Sequence, residues 1–217
     1  MSRARAAVVL AVAALAAMAP PPAGAQAAGD SAAVSRPLAA TRTLVRRLAA
    51  SGRAEVALRR ESPDPLTGSA APLAGRLALE PPDRVRLDFP ESGERVTLRA
   101  DGGEWLQPAL AQMLRLEPGQ VAPALGWWSL FLDAGGRRFT ERRLGSGEYL
   151  VRPLDAHGAG DSVRVSLGAD GLPARVRVRG PGLDADYRLT GWRFLAARGR
   201  GAFVLEAPPG VTVVELR

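Results

Sequence analysis

The feature of this chain that most constrains its fold is an alternation of apolar and polar residues running from Gly75 to Trp105. In the segments GRLALEPPDRVRLDFP and VTLRADGGEW, every second side chain is apolar, the others are mostly charged, and turn residues separate the runs. A period of two places successive side chains on opposite faces of a β-strand. The pattern therefore predicts antiparallel strands with one apolar face and one polar face.

The apolar side chains of these strands predict one continuous inner surface. A one-residue change of register would turn the arginines inward, at a cost of several kcal/mol each. Something apolar must cover the resulting face. The residues expected to project together toward that cover are Leu77, Leu79, Val85, Leu87, Val96 and Leu98.

The same alternation returns on both sides of this region, with short glycine-rich turns such as GADGLP between the runs. Such turns are typical of meander connections, so one long sheet is expected to make up most of the chain. The remaining strands are predicted at Arg53–Arg60, Arg138–Leu144, Glu148–Arg152, Ser162–Leu167, Ala174–Arg179, Asp186–Phe194, Ala202–Glu206 and Val211–Val214.

Two helices are predicted to cover the apolar face. The first spans Ser35–Ala50, carries a helical stripe that includes Leu44 and Leu48, and ends at Gly52. The second lies in Gln120–Leu132, a stretch without any charge. Its helical stripe comprises Val121, Ala124, Leu125, Trp128, Phe131 and Leu132.

The second helix has two interpretations. It is either an ordinary core helix or a movable lid that also contacts a transient apolar ligand or partner. Neighbouring residues on a helix point about 100 degrees apart. We therefore expect one of Trp127 and Trp128 to face the cavity beneath the helix and the other to face the surface or a partner.

The N-terminus predicts export. Arg3 and Arg5 precede an apolar run from Ala6 to Ala17, and small residues before Gln26 suit cleavage after Ala25. Residues 1–25 are therefore predicted to be a secretory signal peptide, and residues 26–217 a single domain. A retained membrane anchor is the alternative, but the apolar run is shorter than the roughly 20 residues that span a bilayer. The sequence contains no cysteine for a lipid anchor or a disulfide.

The formal net charge of +7 comes from arginines spread along the predicted strands. A nucleic-acid site would require clustering of these arginines with interleaved aromatic residues. Outward arginines such as Arg175, Arg177 and Arg179 instead indicate a solvated sheet face, with anionic lipid headgroups as the functional alternative.

Catalytic chemistry is poorly supported. The only histidine, His157, lies in the glycine-rich turn DAHGAGDS beside Asp155, Asp161 and Ser162, without any sign of an oxyanion hole or an activated serine. The carboxylates show no metal-ligand spacing, and the glycines fit no phosphate-binding or dinucleotide pattern. We expect neither an enzyme nor a bound metal or cofactor.

Several segments together resemble the periplasmic lipoprotein carriers of the LolA-like family. A glycine-led strand runs from Gly75 to Phe89, an Asp-Gly turn at Asp101 precedes Trp105, and the ending FVLEAPPGV begins at Phe203. The strands YLVRP, SVRVSLGADGLP and ADYRLTGW keep the order and spacing of the family. The resemblance covers most of the chain after residue 25.

The resemblance implies an α+β, mostly β fold, an incomplete antiparallel β-barrel covered by helices that enclose a hydrophobic cavity for acyl chains. It implies a monomeric chaperone that receives lipoproteins from an inner-membrane ABC complex and passes them to an outer-membrane receptor, without binding nucleic acid. Carriers of other lipids or glycolipids and periplasmic lipoprotein-sensing regulators are the alternatives. The expected cavity-lining residues are Leu77, Leu79, Val85, Leu87, Phe89, Val96, Leu98, Trp105, Leu125 and Trp128.

One position departs from the family. Where well-studied members have an arginine that ties down the helical lid, this chain has Pro81. Proline offers no side-chain donor, so the latch is either absent or supplied by another group such as Arg84 or Arg76.

Overall fold

The computed structural model describes residues 38–63, 70–132, 138–154, 162–180 and 183–216. The predicted signal peptide and the His157 turn lie outside the described residues. Within the described residues, two α-helices, α1 (Arg42–Ser51) and α2 (Pro118–Leu132), accompany a large β-sheet.

The twelve strands of the described chain form one sheet in the order β12-β6-β5-β4-β3-β2-β1-β11-β10-β9-β8-β7. They are β1 (Arg53–Pro63), β2 (Ala70–Glu80), β3 (Arg84–Phe89), β4 (Glu94–Arg99), β5 (Gly102–Gln107), β6 (Gln112–Leu116), β7 (Phe139–Gly145), β8 (Glu148–Pro153), β9 (Ser162–Leu167), β10 (Pro173–Gly180), β11 (Leu183–Leu195) and β12 (Thr212–Glu215).

The sheet is open, because β7 and β12 form opposite edges in this order. Its pairs are antiparallel except for β12, which runs parallel to β6. The expectation of an incomplete, mostly antiparallel barrel with covering helices is confirmed. The chain reaches this arrangement by pairing β1 with both β2 and β11, which joins the first and last thirds of the sequence.

The strand register confirms the shared inner face predicted from the alternation. Leu77 lies opposite Leu87, which lies opposite Val96. Directly opposed residues of neighbouring strands project from the same face. Leu79, Val85 and Leu98 form a second such row. Five of these six side chains are buried in the main apolar cluster, and Leu87 packs against it.

Helix α1 follows from its apolar stripe and ends where the sequence predicts. Leu44 and Leu48 are fully buried, and Gly52 terminates the helix with a φ of +97° and an N–H donated to the Leu48 carbonyl at 2.8 Å. Such a left-handed C-terminal residue favours glycine. The helix begins at Arg42 rather than Ser35, with Leu38 to Thr41 preceding it as a turn.

Helix α2 begins at Pro118, two residues earlier than predicted, and packs on α1, β4 and β5. Proline suits the first turn of a helix because its missing N–H would be unpaired there. Helix α2 closely approaches β5, where a Cβ on Gly103 would lie 3.3 Å from a side-chain methyl group of Val121. Val121 and Leu130 are buried, which places Leu130 in the core although the sequence stripe excludes it.

The predicted strand Ala202–Glu206 is wrong. Residues 196–211 instead cross the outer face of β3 to β5 as a strap, with a 3-10 turn at Arg200–Phe203. Arg86 and Arg99 donate to the carbonyl oxygens of Ala202 and Phe203. Arginine side chains therefore supply the hydrogen bonds that these strap carbonyl groups would otherwise receive from a neighbouring strand.

The strap also corrects the expectation of a solvated outer face. Phe203 is 1% exposed, and Leu205 packs with Leu106, Met113 and Val211 in a second small core. Arg86 and Arg99 consequently lie beneath the strap, whereas Arg59 and Arg188 on β1 and β11 remain exposed.

Candidate functional site

An apolar cavity of about 70 Å³ lies between α2 and the inner face of the sheet. Four of its lining residues come from α2 and the others from β1, β2, β9, β10 and β11. They are Leu58, Leu77, Ala124, Trp127, Trp128, Phe131, Val163, Val176, Val178, Tyr187, Leu189 and Trp192.

Helix α2 presents its lining residues at helical spacing. Ala124 lies three and four residues before Trp127 and Trp128, and Phe131 lies four and three residues after them. Each tryptophan is therefore a neighbour of both Ala124 and Phe131 on the helix surface. The small Ala124 leaves space between the larger rings. The expectation that only one of the two tryptophans faces the cavity is wrong, because both line it.

The surroundings of α2 explain how both tryptophans are accommodated. The Trp127 ring lies 5.8 Å from the ring of Phe139 on the edge strand β7. The Trp128 ring lies 6.0 Å from that of Phe131. Aromatic pairs at these centroid distances stabilise one another. Trp127 and Trp128 point about 100 degrees apart on the helix, and each still finds an aromatic partner.

The sheet side of the cavity is also almost entirely apolar. Val163, Val176 and Val178 are cross-strand neighbours on β9 and β10, and Leu189 faces them from β11. The Trp192 indole N–H is donated to the Pro173 carbonyl at 2.8 Å, which leaves its ring free to serve as wall. Among the described lining residues no side chain carries a formal charge at neutral pH.

The ten residues proposed from the sequence all belong to the same apolar cluster, but they occupy different parts of it. Leu77 and Trp128 line the cavity. Leu87 and Leu125 are partly buried against the cluster. The core beneath α2 and beyond the cavity contains Leu79, Val85, Phe89, Val96, Leu98 and Trp105. Contact of these residues with a ligand stays a prediction.

Besides Ala124, Trp127 and Phe131 of α2, the lining residues missing from the sequence prediction come from the C-terminal strands and from β1. Their alternation is visible in SVRVSL and ARVRVR. The pairing of β1 with β11 is what brings them beneath α2, and that pairing joins residues more than 130 positions apart, such as Ala57 and Thr190. The local alternation predicts that these side chains point inward, but it does not predict which strands lie next to them.

A polar group lies at one end of the inner face. Arg60 follows Leu58 on the same face of β1, is paired with Tyr187 across the sheet, and is 7% exposed. Its guanidinium lies 5.9 Å from the centroid of the Phe89 ring, and its charge acts on the Tyr187 hydroxyl. Glu94, opposite Phe89, is 8% exposed.

Burial controls the titration of this polar group. It raises the pKa of Glu94, and the charge of Arg60 offsets part of that rise. Burial likewise raises the pKa of the Tyr187 hydroxyl, with Arg60 acting in the opposite sense. In both cases the loss of water disfavours the negatively charged form more than one guanidinium favours it.

The cover is attached at the start of α1 by a carboxylate from β7. Glu141 accepts the backbone N–H groups of Ala39 and Ala40 at 2.7 and 3.1 Å. Farther along α1, the Arg47 guanidinium lies 5.5 Å from the Phe194 ring. Glu141 thereby satisfies two backbone donors of the turn that leads into α1.

The groups suggested as replacements for the family's latch lie elsewhere. Arg84 forms an ion pair with Glu80, whose carboxylate also accepts the backbone N–H groups of Arg198 and Gly199 at 2.8 and 3.0 Å. Arg76 lies opposite Asp88 and is exposed. Arg84 therefore helps to hold the strap, and Arg76 points away from the helices.

Two further features of the molecule bear on function, potential membrane-spanning helices and potential metal ligands. Within the described ranges, no helix combines the length and the apolar composition needed to cross a bilayer. In the same residues, no group of three or more histidine, cysteine or carboxylate side chains is arranged to hold a metal ion.

Comparison with known proteins returns weak structural similarities. The chain is similar to an uncharacterized conserved protein from Thermus thermophilus, with 15% identity, a TM-score of 0.45 and coverage of 81% of this chain and 98% of that one. It is also similar to an outer membrane lipoprotein-sorting protein domain from Vibrio parahaemolyticus, with 11% identity, a TM-score of 0.43 and coverage of 74% and 94%.

A third similarity is to a LolA superfamily protein from Nitrosomonas europaea, with 10% identity, a TM-score of 0.37 and coverage of 76% and 97%. No protein-family model and no curated protein sequence matches the chain. The resemblance noted from the sequence thus reappears among solved structures. These three TM-scores all lie below 0.5.

Proposed function

We propose that this protein is an exported, non-catalytic carrier that shelters the acyl chains of lipoproteins and shuttles them from the inner to the outer membrane. The observation that carries the proposal is the apolar cavity between α2 and the inner face of the sheet. Burial of a methylene group is worth about 0.8 kcal/mol. A wall of leucine, valine and tryptophan side chains therefore binds an acyl chain by contact area, without a catalytic group.

The size of the cavity requires the cover to move during loading. A volume of about 70 Å³ corresponds to roughly five water-sized spaces, which is too little for several acyl chains. The lining residues of α2 meet the sheet through apolar contacts, which are not directional and can be exchanged for contacts with a lipid. We propose that displacement of α2 admits the chains.

The location and the partners belong to the same proposal. Export to the periplasm rests on the predicted signal peptide, and the inner-membrane ABC complex and outer-membrane receptor rest on the family resemblance. A carrier of another lipid is the second candidate, and the small volume of the cavity favours it, because a single chain needs less displacement of α2 than several do.

The test is to fill the cavity without disturbing the rest of the sheet. Val176→Phe places a ring in the lining from β10, and Val204→Phe makes the same change on the strap, where Val204 is 39% exposed. Overpacking of a filled site costs about 1 to 3 kcal/mol, so we expect ligand binding by the first variant alone to weaken about five- to a hundredfold.

Binding is measured by intrinsic tryptophan fluorescence and by native mass spectrometry, with a synthetic triacylated lipopeptide and a single-chain fatty acid as probes. Binding of the lipopeptide supports the lipoprotein carrier, and binding of the fatty acid alone supports the second candidate. If neither probe binds the unmodified protein, or if Val176→Phe binds as well as Val204→Phe, the cavity is not the site.

A further inference from the structure

A buried arginine at the end of the cavity is unexpected on an apolar face. The inward residues of β1 are Ala54, Val56 and Leu58, and the next one inward is Arg60. Leu58 lines the cavity, and so does Tyr187, the cross-strand partner of Arg60. Arg60 therefore stands where the apolar wall ends, directly opposite a residue of the neighbouring strand that forms that wall.

The surroundings of Arg60 hold the guanidinium in place. Tyr187 lies opposite it on β11, and the Phe89 ring supports it from β3. Its charge also acts on the buried carboxyl of Glu94 on β4. Removing an arginine from water is costly, and a buried ion pair rarely returns more than an apolar pair of similar size would. Stability alone is therefore a weak reason for an arginine here.

Recognition gives a stronger reason. A guanidinium presents five N–H donors in a rigid plane, which suits oxygen acceptors and repels a cation. An acyl chain lying along the apolar wall ends in such an acceptor, because the carbonyl group that begins every acyl chain carries an oxygen. The wall supplies affinity for the tail, and the arginine supplies a fixed direction for the head.

We propose that Arg60 and Tyr187 form a head-group site that binds the carbonyl oxygen at the start of an acyl chain, so that the chain enters the cavity in one orientation. The inference rests on the proposed carrier function and specifies its ligand chemistry. Two sources share this chemistry, the ester groups of a lipoprotein and the carboxylate of a free fatty acid.

Three single-chain probes with the same tail separate the head from the tail: dodecanoate, methyl dodecanoate and dodecylamine, each used below its micellar concentration. We expect the acid or the ester to bind about ten to a hundred times more tightly than the amine, the range that hydrogen bonds to charged groups supply. Tighter binding of the ester indicates a lipoprotein source, and tighter binding of the acid indicates a free fatty acid.

The variant Arg60→Met removes the guanidinium and keeps an apolar side chain of similar length. We expect it to lose the preference for the acid or ester over the amine. The matched control is Arg59→Met, which removes the same charge from the neighbouring position, where the side chain is 58% exposed on the opposite face. We expect this control to keep the preference of the unmodified protein.

Two further variants remain informative if Arg60→Met does not fold. Tyr187→Phe deletes one hydroxyl and should reduce the preference severalfold. Glu94→Gln removes the carboxyl that competes for Arg60, so it should tighten binding of dodecanoate more than binding of the ester. A purely structural role of the Arg60 and Glu94 pair would produce no such gain.

The outcomes separate this inference from the carrier function. If all three probes bind the unmodified protein equally well, or if Arg60→Met keeps the preference, the head-group site is wrong while the carrier function stands. If none of the probes binds, and the triacylated lipopeptide also fails to bind, both proposals are overturned.

Discussion

The two faces of this sheet are covered in different ways. On the inner face, α1 and α2 cover the apolar surface through leucine, phenylalanine and tryptophan side chains, and a cavity remains beneath them. On the outer face of β3 to β5, the strap is held by buried charges, chiefly Arg99 and Glu104. Apolar contacts are not directional and exchange partners readily, whereas a buried ion pair is costly to break when no new partner replaces the old one. We therefore expect the inner cover to move more easily than the outer cover.

The charges beneath the strap form a connected group. Arg99 donates to Glu104 through both terminal nitrogens at 2.8 Å and also donates to the Phe203 carbonyl. Glu104 accepts from the Thr97 hydroxyl and from the backbone N–H of Leu205. Burial alone would raise the pKa of Glu104, but the hydrogen bonds from Arg99 and Thr97 outweigh it and hold that pKa below its usual value.

The largest effect is expected from breaking the outer group. Glu104→Ala leaves Arg99 buried without its main partner, which should cost about 3 to 5 kcal/mol of unfolding free energy. Urea unfolding followed by circular dichroism measures the change. The control Glu215→Ala breaks the ion pair with Arg115, in which both side chains are more than half exposed, and should cost less than about 1 kcal/mol. Equal losses would remove the distinction between fixed and movable covers.

The sequence predicts the inner half of this comparison well. Alternation alone identifies Leu77, Leu79, Val85 and Leu98 as members of one face, because a single polar residue turned inward would carry a large penalty. The uncharged stretch around Trp127 and Trp128 likewise identifies the cover. Local periodicity is enough to predict which side chains are buried when burial depends only on the face of the strand to which they point.

The outer half could not be predicted in the same way. Ala202 and Leu205 lie in a segment that reads as a strand, yet their backbone groups are satisfied by Arg86 and Glu104, about a hundred residues earlier in the chain. An outward arginine that is solvated and one that holds a strap look alike in the sequence. The position of Arg60 at the end of the cavity depends in the same way on the pairing of β1 with β11.

A smaller effect is expected where the inner cover has its carboxylate attachment. Glu141→Ala removes the acceptor for the N–H groups of Ala39 and Ala40, and loss of hydrogen bonds to a charged group costs about 1.5 to 3 kcal/mol. Because the start of α1 is freed, hydrogen exchange should accelerate in α1 and α2 before it does in the strap. Glu148→Ala on the neighbouring strand, which breaks an exposed pair with Arg164, is the control. Exchange that accelerates equally in the strap would show that the two covers open together.

The smallest effect is expected in the pH dependence of the unfolding free energy, to which one carboxyl on each face contributes with opposite sign. The pKa of Glu94 on the inner face is raised by folding, so its contribution to stability is full below the unfolded value near 4.5 and is lost as pH rises through the raised pKa. The pKa of Glu104 on the outer face is lowered, so its contribution is present above the unfolded value and is lost as pH falls through the lowered pKa. From low to neutral pH, the unfolding free energy of the unmodified protein should therefore fall relative to Glu94→Gln and rise relative to Glu104→Gln. Urea unfolding of the three proteins across that range measures both differences. Two slopes of the same sign would mean that the faces do not differ in how they hold charge.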